Sequence, residues 1–265
     1  MRDCAAELLE DVQGRADPRA IAIQRVGVKA LRYPLQIQDR DQKIQQVAAL
    51  CNMYVSLPPE VKGTHMSRFL QILEEQQGNP LSVLNFQELI LRTRDRLEAR
   101  DARIEIQFPW FISKKAPVSG VSSYLDYEVE WVGILQEDQY VQELTVHVPV
   151  TSLCPCSKSI SEYGAHNQRS RVSVWIQNRK PIWIEELIAV VEAEASSQLY
   201  GILKRPDEKF VTEYAYDHPK FVEDMVRDLA LRLQRDSRIA RYSVASENFE
   251  SIHNHSAYAL IEGEN

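Results

Sequence analysis

Side chains able to hold a metal or move a proton gather in the second half of the chain. Cys154 and Cys156 stand in TSLCPCSKSI, His166 in YGAHNQ, Glu208 in KRPDEKF, and Glu250, His253 and His255 in ENFESIHNH. Cys-x-Cys lacks the two-residue gap of zinc knuckles and ribbons, so a structural site of four cysteines, or of two cysteines and two histidines, is not supported. A mixed site of one thiolate, one imidazole and carboxylate remains open, and an incomplete shell suits catalysis better than structure. Cys154 follows directly on a strand ending near Val150, and Pro155 withholds a backbone donor there, so the thiols sit where a sheet gives way to a loop. His253 and His255 are two positions apart. In extended backbone both imidazoles face one side, where they could ligate a metal or shuttle protons near neutral pH.

Each residue type also has an ordinary alternative. Cys154 and Cys156 fit equally as small buried apolar groups, and the histidine pair as surface residues. Glu223 lies beside Val222 and Val226 on an amphipathic helix, where a solvated carboxylate is the plain expectation. In a pocket it could instead accept a pair of adjacent N–H donors from a ligand. The basic candidates for phosphate are Lys62 and Arg68 around GTHMSRF, then Lys158, Arg169, Arg171, Lys204, Arg205 and Lys209. A triphosphate needs several of them to converge, because separate charge-assisted contacts position its phosphoryl groups. His65 and His147 carry no assignment, and His218 before Pro219 is expected at a helix entry.

The 265 residues leave room for one large domain or two modest ones. Apolar residues at 44% and charged residues at 26% are the balance of a folded globular protein, and no apolar run approaches the ~20 residues of a membrane helix. A net charge of −7 argues against bulk nucleic-acid binding while leaving room for a local basic pocket. MRDCAAELLEDVQ lacks the basic start and apolar stretch of a signal peptide, and the cysteine spacing disfavours an intrachain disulfide, so a cytoplasmic protein with reduced thiols is expected. The nine glycines are never closer than thirteen positions, which excludes GxGxxG, the P-loop and the GxSxG elbow. Any nucleotide must be held by side chains or helix N-termini.

Several elements must position these groups. Residues 1–19 form a polar arm broken by Gly14, Asp17 and Pro18. Extended segments follow at 26–37 and 44–57, the second of which also fits a helix start. Met66, Phe69, Leu70 and Leu73 recur at helical spacing behind Thr64 as a cap, and Leu84 to Leu97 mark a longer helix ending near Arg100. Period-two alternation then runs through Ile104 and Ile106, Tyr127 to Trp131, Leu144 to Val150 and Arg171 to Ile176, the pattern of antiparallel strands with one wet face. Ile184 to Ile202 reads as one long helix, Val222 to Leu233 as another, and two short strands at 241–246 and 256–261 close the chain. Strands and helices segregate, which is α+β order. Two modules, 20–101 and 102–265, each of antiparallel strands followed by two helices, suggest a duplication without a residue-level repeat.

The strings from Cys154 to Arg169, GTHMSRF at 63–69, RPDEKFVTE at 205–213 and ENFESIHNH at 247–255 together resemble GTP cyclohydrolase I of the type IB family, over about residues 20–262. The resemblance implies a bimodular tunnelling fold, with antiparallel strands and paired helices packed outside. It also implies a homotetramer with active sites between subunits, where the first-half motif bearing Lys62 and Arg68 could complete a neighbour's site. It implies GTP as substrate, with 7,8-dihydroneopterin triphosphate and formate as products, at the entry to tetrahydrofolate. By the same likeness Cys154, His166, Glu208 and Glu250 form the shell of one divalent metal per active site, zinc, manganese or ferrous iron, with no nicotinamide or flavin. His253 and His255 then stand near the catalytic water, Cys156 is a nearby second thiol, Glu223 anchors the purine, and Arg169 joins Lys62 and Arg68 as a phosphate candidate. Two other readings stand beside it: a thiol-nucleophile enzyme similar to nitrile reductases, and a non-catalytic metal-binding protein.

Overall fold

A computed structural model describes residue 11 and residues 13–265. Its framework is one antiparallel sheet. The strands are β1 (Ile23–Gln38), β2 (Ile44–Leu57), β3 (Ala102–Lys115), β4 (Ser122–Gln136), β5 (Gln139–Leu153), β6 (Asn167–Asn178), β7 (Ser197–Gln198), β8 (Ile239–Asn248) and β9 (Ala257–Glu264). They lie in the order β1-β2-β3-β4-β5-β6-β8-β9, with β7 paired to β5 alone. Each long strand alternates as its sequence does. Leu144, Val146, Val148 and Val150 of β5 are buried, as are Val172, Val174 and Ile176 of β6. The opposite face is polar, and there Asn52 Nδ2 donates to Glu105 Oε2 at 3.0 Å and His147 Nδ1 meets Ser173 Oγ at 2.7 Å. Residues 44–57 are strand throughout, which settles the ambiguity of that segment.

The helices are α1 (Met66–Gln76), α2 (Phe86–Arg96), α3 (Pro155–Ile160), α4 (Ile184–Glu194), α5 (Arg205–Asp217) and α6 (Val222–Gln234). Helices α1, α2, α4 and α6 contribute their buried residues to a common core with the sheet. The approach is close at Gly133 of β4, where an added Cβ would stand 2.6 Å from Ile90 Cδ1 of α2. Phe86 of the same helix packs on Trp131 with ring centroids 4.1 Å apart. Among the described residues no helix is long and apolar enough to cross a membrane.

Several local expectations are corrected. The helix expected over 184–202 stops at Glu194, and Ala195 is extended. Ser196 Oγ accepts from Leu153 N at 3.2 Å, and β7 pairs with Val150 and Thr151 of β5, so edge pairing overrides the apolar stripe. His65, not Thr64, precedes α1 as its cap position, and Thr64 is buried. His218 closes α5 rather than opening a helix. Strand pairing also runs unbroken across residue 101, since β2 pairs with β3, and α2 packs on β4. The order β1-β2-α1-α2-β3-β4 recurs as β5-β6-α4-α6-β8-β9 with α3, β7 and α5 inserted. Of the expected 1–19 arm, residues 1–10 and 12 lie outside the described residues. Its remaining part is strapped to the 60–63 segment, with Gln13 O accepting from Gly63 N at 3.1 Å and Arg15 O from Lys62 N at 3.0 Å.

Candidate active site

Cys154 and His166 are brought together by the last rung of the β5–β6 ladder. Leu153 pairs with Asn167, and one step beyond, Cys154 N donates to His166 O at 3.1 Å. Pro155 then starts α3 with Cys154 as its cap, whose Sγ accepts from Ser157 N at 3.5 Å. Ser157 Oγ donates to Cys154 O and accepts from His166 N, each at 3.2 Å. Lys158 holds the short helix against α5, donating to Tyr216 O with its ammonium 4.1 Å from the Tyr216 ring centroid. The thiol and the imidazole are thus fixed by backbone.

They open on a pocket of about 440 Å³ that Cys156, Glu223, Glu250, His253 and His255 also line. Glu250 follows β8, and its Oε2 lies 4.0 Å from His166 Nδ1. The His253 and His255 rings stack with centroids 5.1 Å apart and planes 11° from parallel, sharing one side as their spacing predicts. Glu223 sits in the first turn of α6, where the helix dipole favours an anion, and is exposed to the pocket rather than buried. Lys220 lines the same wall. Its Nζ bonds Glu194 at 3.0 Å and Asp228 at 2.8 Å. Burial works against the ammonium, but those two carboxylates outweigh it and hold its pKa above the ordinary lysine value.

Other expected residues lie elsewhere in this chain. Glu208 is exposed on α5 and does not line the pocket, whereas its neighbour Asp207 is fully buried. Lys62 is exposed beside the arm, and Arg68 donates to Arg96 O at 3.1 Å on the helical side of the first half. Arg169 lines a separate hollow on the open sheet face with His147, Arg171 and Phe249.

The family profile described as type I GTP cyclohydrolase folE2 matches residues 9–259. The chain is a member of this family. Relatives named GTP cyclohydrolase FolE2 include one from Magnetococcus marinus, 57% identical over 99% of this chain and 98% of its own length. Another, from Nitrosococcus oceani, is 55% identical over 97% of this chain and 96% of its own. Among solved structures, a uricase from Bacillus fastidious matches with a TM-score of 0.53 at 8% identity, covering 91% of this chain and 93% of that one. A hyper-thermostable AgUricase mutant matches at 0.50 and 9% identity, covering 92% of each chain. These two share the architecture alone, the tunnelling fold expected from the sequence.

Membership of the type I GTP cyclohydrolase FolE2 family makes the chain an enzyme and its pocket the candidate active site. The donor types there, thiols of Cys154 and Cys156, imidazoles of His166, His253 and His255, and carboxylates of Glu223 and Glu250, fit a divalent cation of borderline softness. Among the described residues, however, no three His, Cys, Asp or Glu side chains converge closely enough to hold one within this chain alone. Sequence reasoning missed Lys220, Gln168 and Asn248, all of which line the pocket. Gln168 and Asn248 had a signal: they are polar residues at positions where the strand alternation calls for apolar ones.

Proposed function

We propose that this member of the GTP cyclohydrolase FolE2 family is a metal-dependent GTP cyclohydrolase I that converts GTP and water to 7,8-dihydroneopterin triphosphate and formate. One observation carries the reading: Cys154, Cys156, His166, Glu223, Glu250, His253 and His255 come from separate segments yet line one pocket. The family's place in folate biosynthesis agrees with it.

Cys154 and His166 would hold a divalent cation, zinc, manganese or ferrous iron, with carboxylate from Glu250, and Glu208, which lies outside the pocket of this chain, would join them from a second copy. Such a cation, when bound, supplies Lewis acidity and lowers the pKa of water, which suits addition of water at guanine C8. Glu223 at the start of α6 accepts the paired N–H donors of the guanine edge and orients the base. His253 and His255 move protons: one to the imidazole nitrogen as the C8–N bond breaks, one away from the water that releases formate. Of the two waters added, one is lost when the rearranged ribose closes onto the amine, so one water is consumed overall. Cys156, exposed beside the ligating thiol, closes the wall without ligating.

A homotetramer completes the site in this reading. Ile160 and Ile252 line the pocket while 79% and 63% exposed, and Tyr163 nearby is 97% exposed, an apolar rim suited to cover by a second copy. That copy would bring Lys62 and Arg68 toward the phosphates alongside Arg169.

The test is formate release from GTP by metal-stripped protein resupplied separately with zinc, manganese or ferrous iron, read beside the fluorescence of the oxidised pterin. Formate and pterin together are expected, and Glu223→Ala is expected to keep the metal while losing GTP affinity. Silence with every metal would overturn the reaction, and wild-type GTP affinity in Glu223→Ala would overturn the anchor.

A further inference from the structure

Beneath the pocket the buried face of the sheet changes from apolar to polar. Ser152 follows Val150 on β5, Ser170 and Gln168 precede Val172 on β6, and Ser246 and Asn248 follow Val244 on β8, all of them buried. The hydrogen bonds among them run in one direction. Asn248 Oδ1 can only accept, and takes the Ser170 hydroxyl at 2.8 Å and the Ser246 hydroxyl at 3.5 Å. With its single proton committed there, Ser170 Oγ must accept from Ser152, 2.7 Å away. Ser152 in turn accepts from Gln168 Nε2 at 3.0 Å. That turns the Gln168 carbonyl oxygen toward His166, where it stands 3.0 Å from Nδ1. A carbonyl oxygen accepts only, so Nδ1 carries the proton and the lone pair of the neutral ring is on Nε2.

We infer that this buried relay, Asn248–Ser170–Ser152–Gln168, is a positioning device that locks neutral His166 in the Nδ1–H tautomer and reserves Nε2 for an electrophile. On the reading above, on which its purpose rests, that electrophile is the divalent cation. Water favours the opposite tautomer for a free imidazole, so the relay does work that solvent does not. Gln168 is the positioning residue in contact with the ring, and Ser152, Ser170 and Asn248 fix which end of its amide faces the ring. Glu250 Oε2 lies 4.0 Å from the same Nδ1, beyond hydrogen-bond distance, so Gln168 is the acceptor that sets the tautomer. Donation of the second ring nitrogen to a fixed acceptor is the general means by which an imidazole ligand is oriented and made more basic.

The tautomer is read by 15N spectra of histidine-labelled, metal-free, full-length protein at a pH where imidazoles are neutral. His166→Asn identifies the signals among those of the six histidines. The expected spectrum shows Nδ1 at the protonated position and Nε2 at the unprotonated one. Ser170→Ala frees the Ser152 proton for the Gln168 carbonyl, turns the amide over and exchanges the two shifts. Gln168→Leu removes the acceptor and gives the solvent-like Nε2–H ring. A wild-type Nε2–H ring, or shifts unmoved in both variants, overturns the inference. Zinc affinity, measured by competition with a chromophoric chelator, is expected to fall about 10- to 100-fold in Gln168→Leu. An exchanged tautomer with unchanged zinc affinity removes the positioning role. Zinc affinity unmoved by His166→Asn removes the metal reading instead, while the shifts judge the tautomer separately.

Discussion

Removing one partner of the buried Lys114–Glu192 pair is expected to cost more than removing both. Lys114 near the end of β3 places Nζ 2.6 Å from Glu192 Oε1 on α4, with the two side chains 7% and 11% exposed. Tyr127 OH of β4 donates to the same oxygen at 2.7 Å. Burial pulls the Lys114 ammonium down in pKa while Glu192 opposes it, and burial together with Glu192 pushes the Tyr127 phenol up, so the phenol stays a donor. Stranding one charge of a buried pair costs about 3–5 kcal/mol. Lys114→Met leaves Glu192 with the Tyr127 donor, and a charge-assisted bond is worth about 1.5–3 kcal/mol, so the loss falls at the lower end, about 3 kcal/mol. Among the described residues, Glu192→Leu strands Lys114 beside the Tyr200 ring, 4.8 Å from Nζ, without a carboxylate partner, and belongs at the upper end, about 4–5 kcal/mol. The double variant leaves a single neutral hydroxyl without an acceptor, a loss of about 1–3 kcal/mol. Urea unfolding followed by tryptophan fluorescence at one protein concentration measures all four proteins, because any assembly then contributes equally. Single losses that add to the double within about 0.5 kcal/mol would refute the buried pair as the origin of the effect.

Two further outcomes follow from buried groups away from the pocket. Burial raises the Asp207 carboxyl, but the Ser119 hydroxyl and the N–H groups of Ser119, Lys204 and Val118 outweigh it and hold the folded pKa below the ordinary 3.8. A depressed carboxyl contributes stability above the unfolded pKa and loses it progressively as pH falls from there through the folded pKa. Asp207→Asn should therefore be less stable at neutral pH and decline less steeply below about pH 4 in urea titrations, and an equally steep acid limb would contradict the assignment. Burial also pushes the Cys51 thiol up to about 12, whereas Cys156 is exposed. Iodoacetamide at about pH 8 should label Cys156 and spare Cys51 until denaturant is added, as judged by peptide mass spectrometry, and a native Cys51 adduct would count against the packing.

The strands were legible because one-sided burial imposes a period of two, visible in Leu144, Val146, Val148 and Val150. Helix α5 was not, because it buries only Asp207 and Ala215 and so carries no apolar stripe. The stripe from Ile184 to Ile202 misled in the opposite sense. Pairing of Ser197 and Gln198 with the end of β5 outweighs helical continuation, a tertiary effect that no local pattern encodes. At the site, the residues of uninterrupted motifs, Cys154 and His166, meet through backbone, which short-range spacing does signal. Glu208 shows the limit. Its motif marks it, yet it lies one helical step of about 100° from buried Asp207 and is exposed in this chain.

The position of the pocket follows from how β5 leaves its neighbour. β4 pairs with β5 only as far as Glu128 opposite His147, while β6 accompanies β5 to Leu153. Beyond His147 the β4 side of β5 is open, and the two residues of β7 fill only Val150 and Thr151. The ladder that fixes Cys154 against His166 is therefore carried by β6, and β6 is held on its far side by β8, which delivers Asn248 and then Glu250. Because side chains alternate with a period of two, a one-residue slip of β5 against β6 would turn Ser152 and the rest of its face outward. It would also part Ser152 from Gln168, its partner in the ladder. Register, rather than any single contact, is what the chemistry depends on. The unbroken run of Val146, Val148 and Val150 against Val174, Val172 and Ser170 sets it, since any slip exposes buried valines at about 25 cal/mol per Å². The apolar two-thirds of these strands thus hold the polar third in place, so a core substitution such as Val148→Thr should disturb the His166 tautomer before it disturbs the fold.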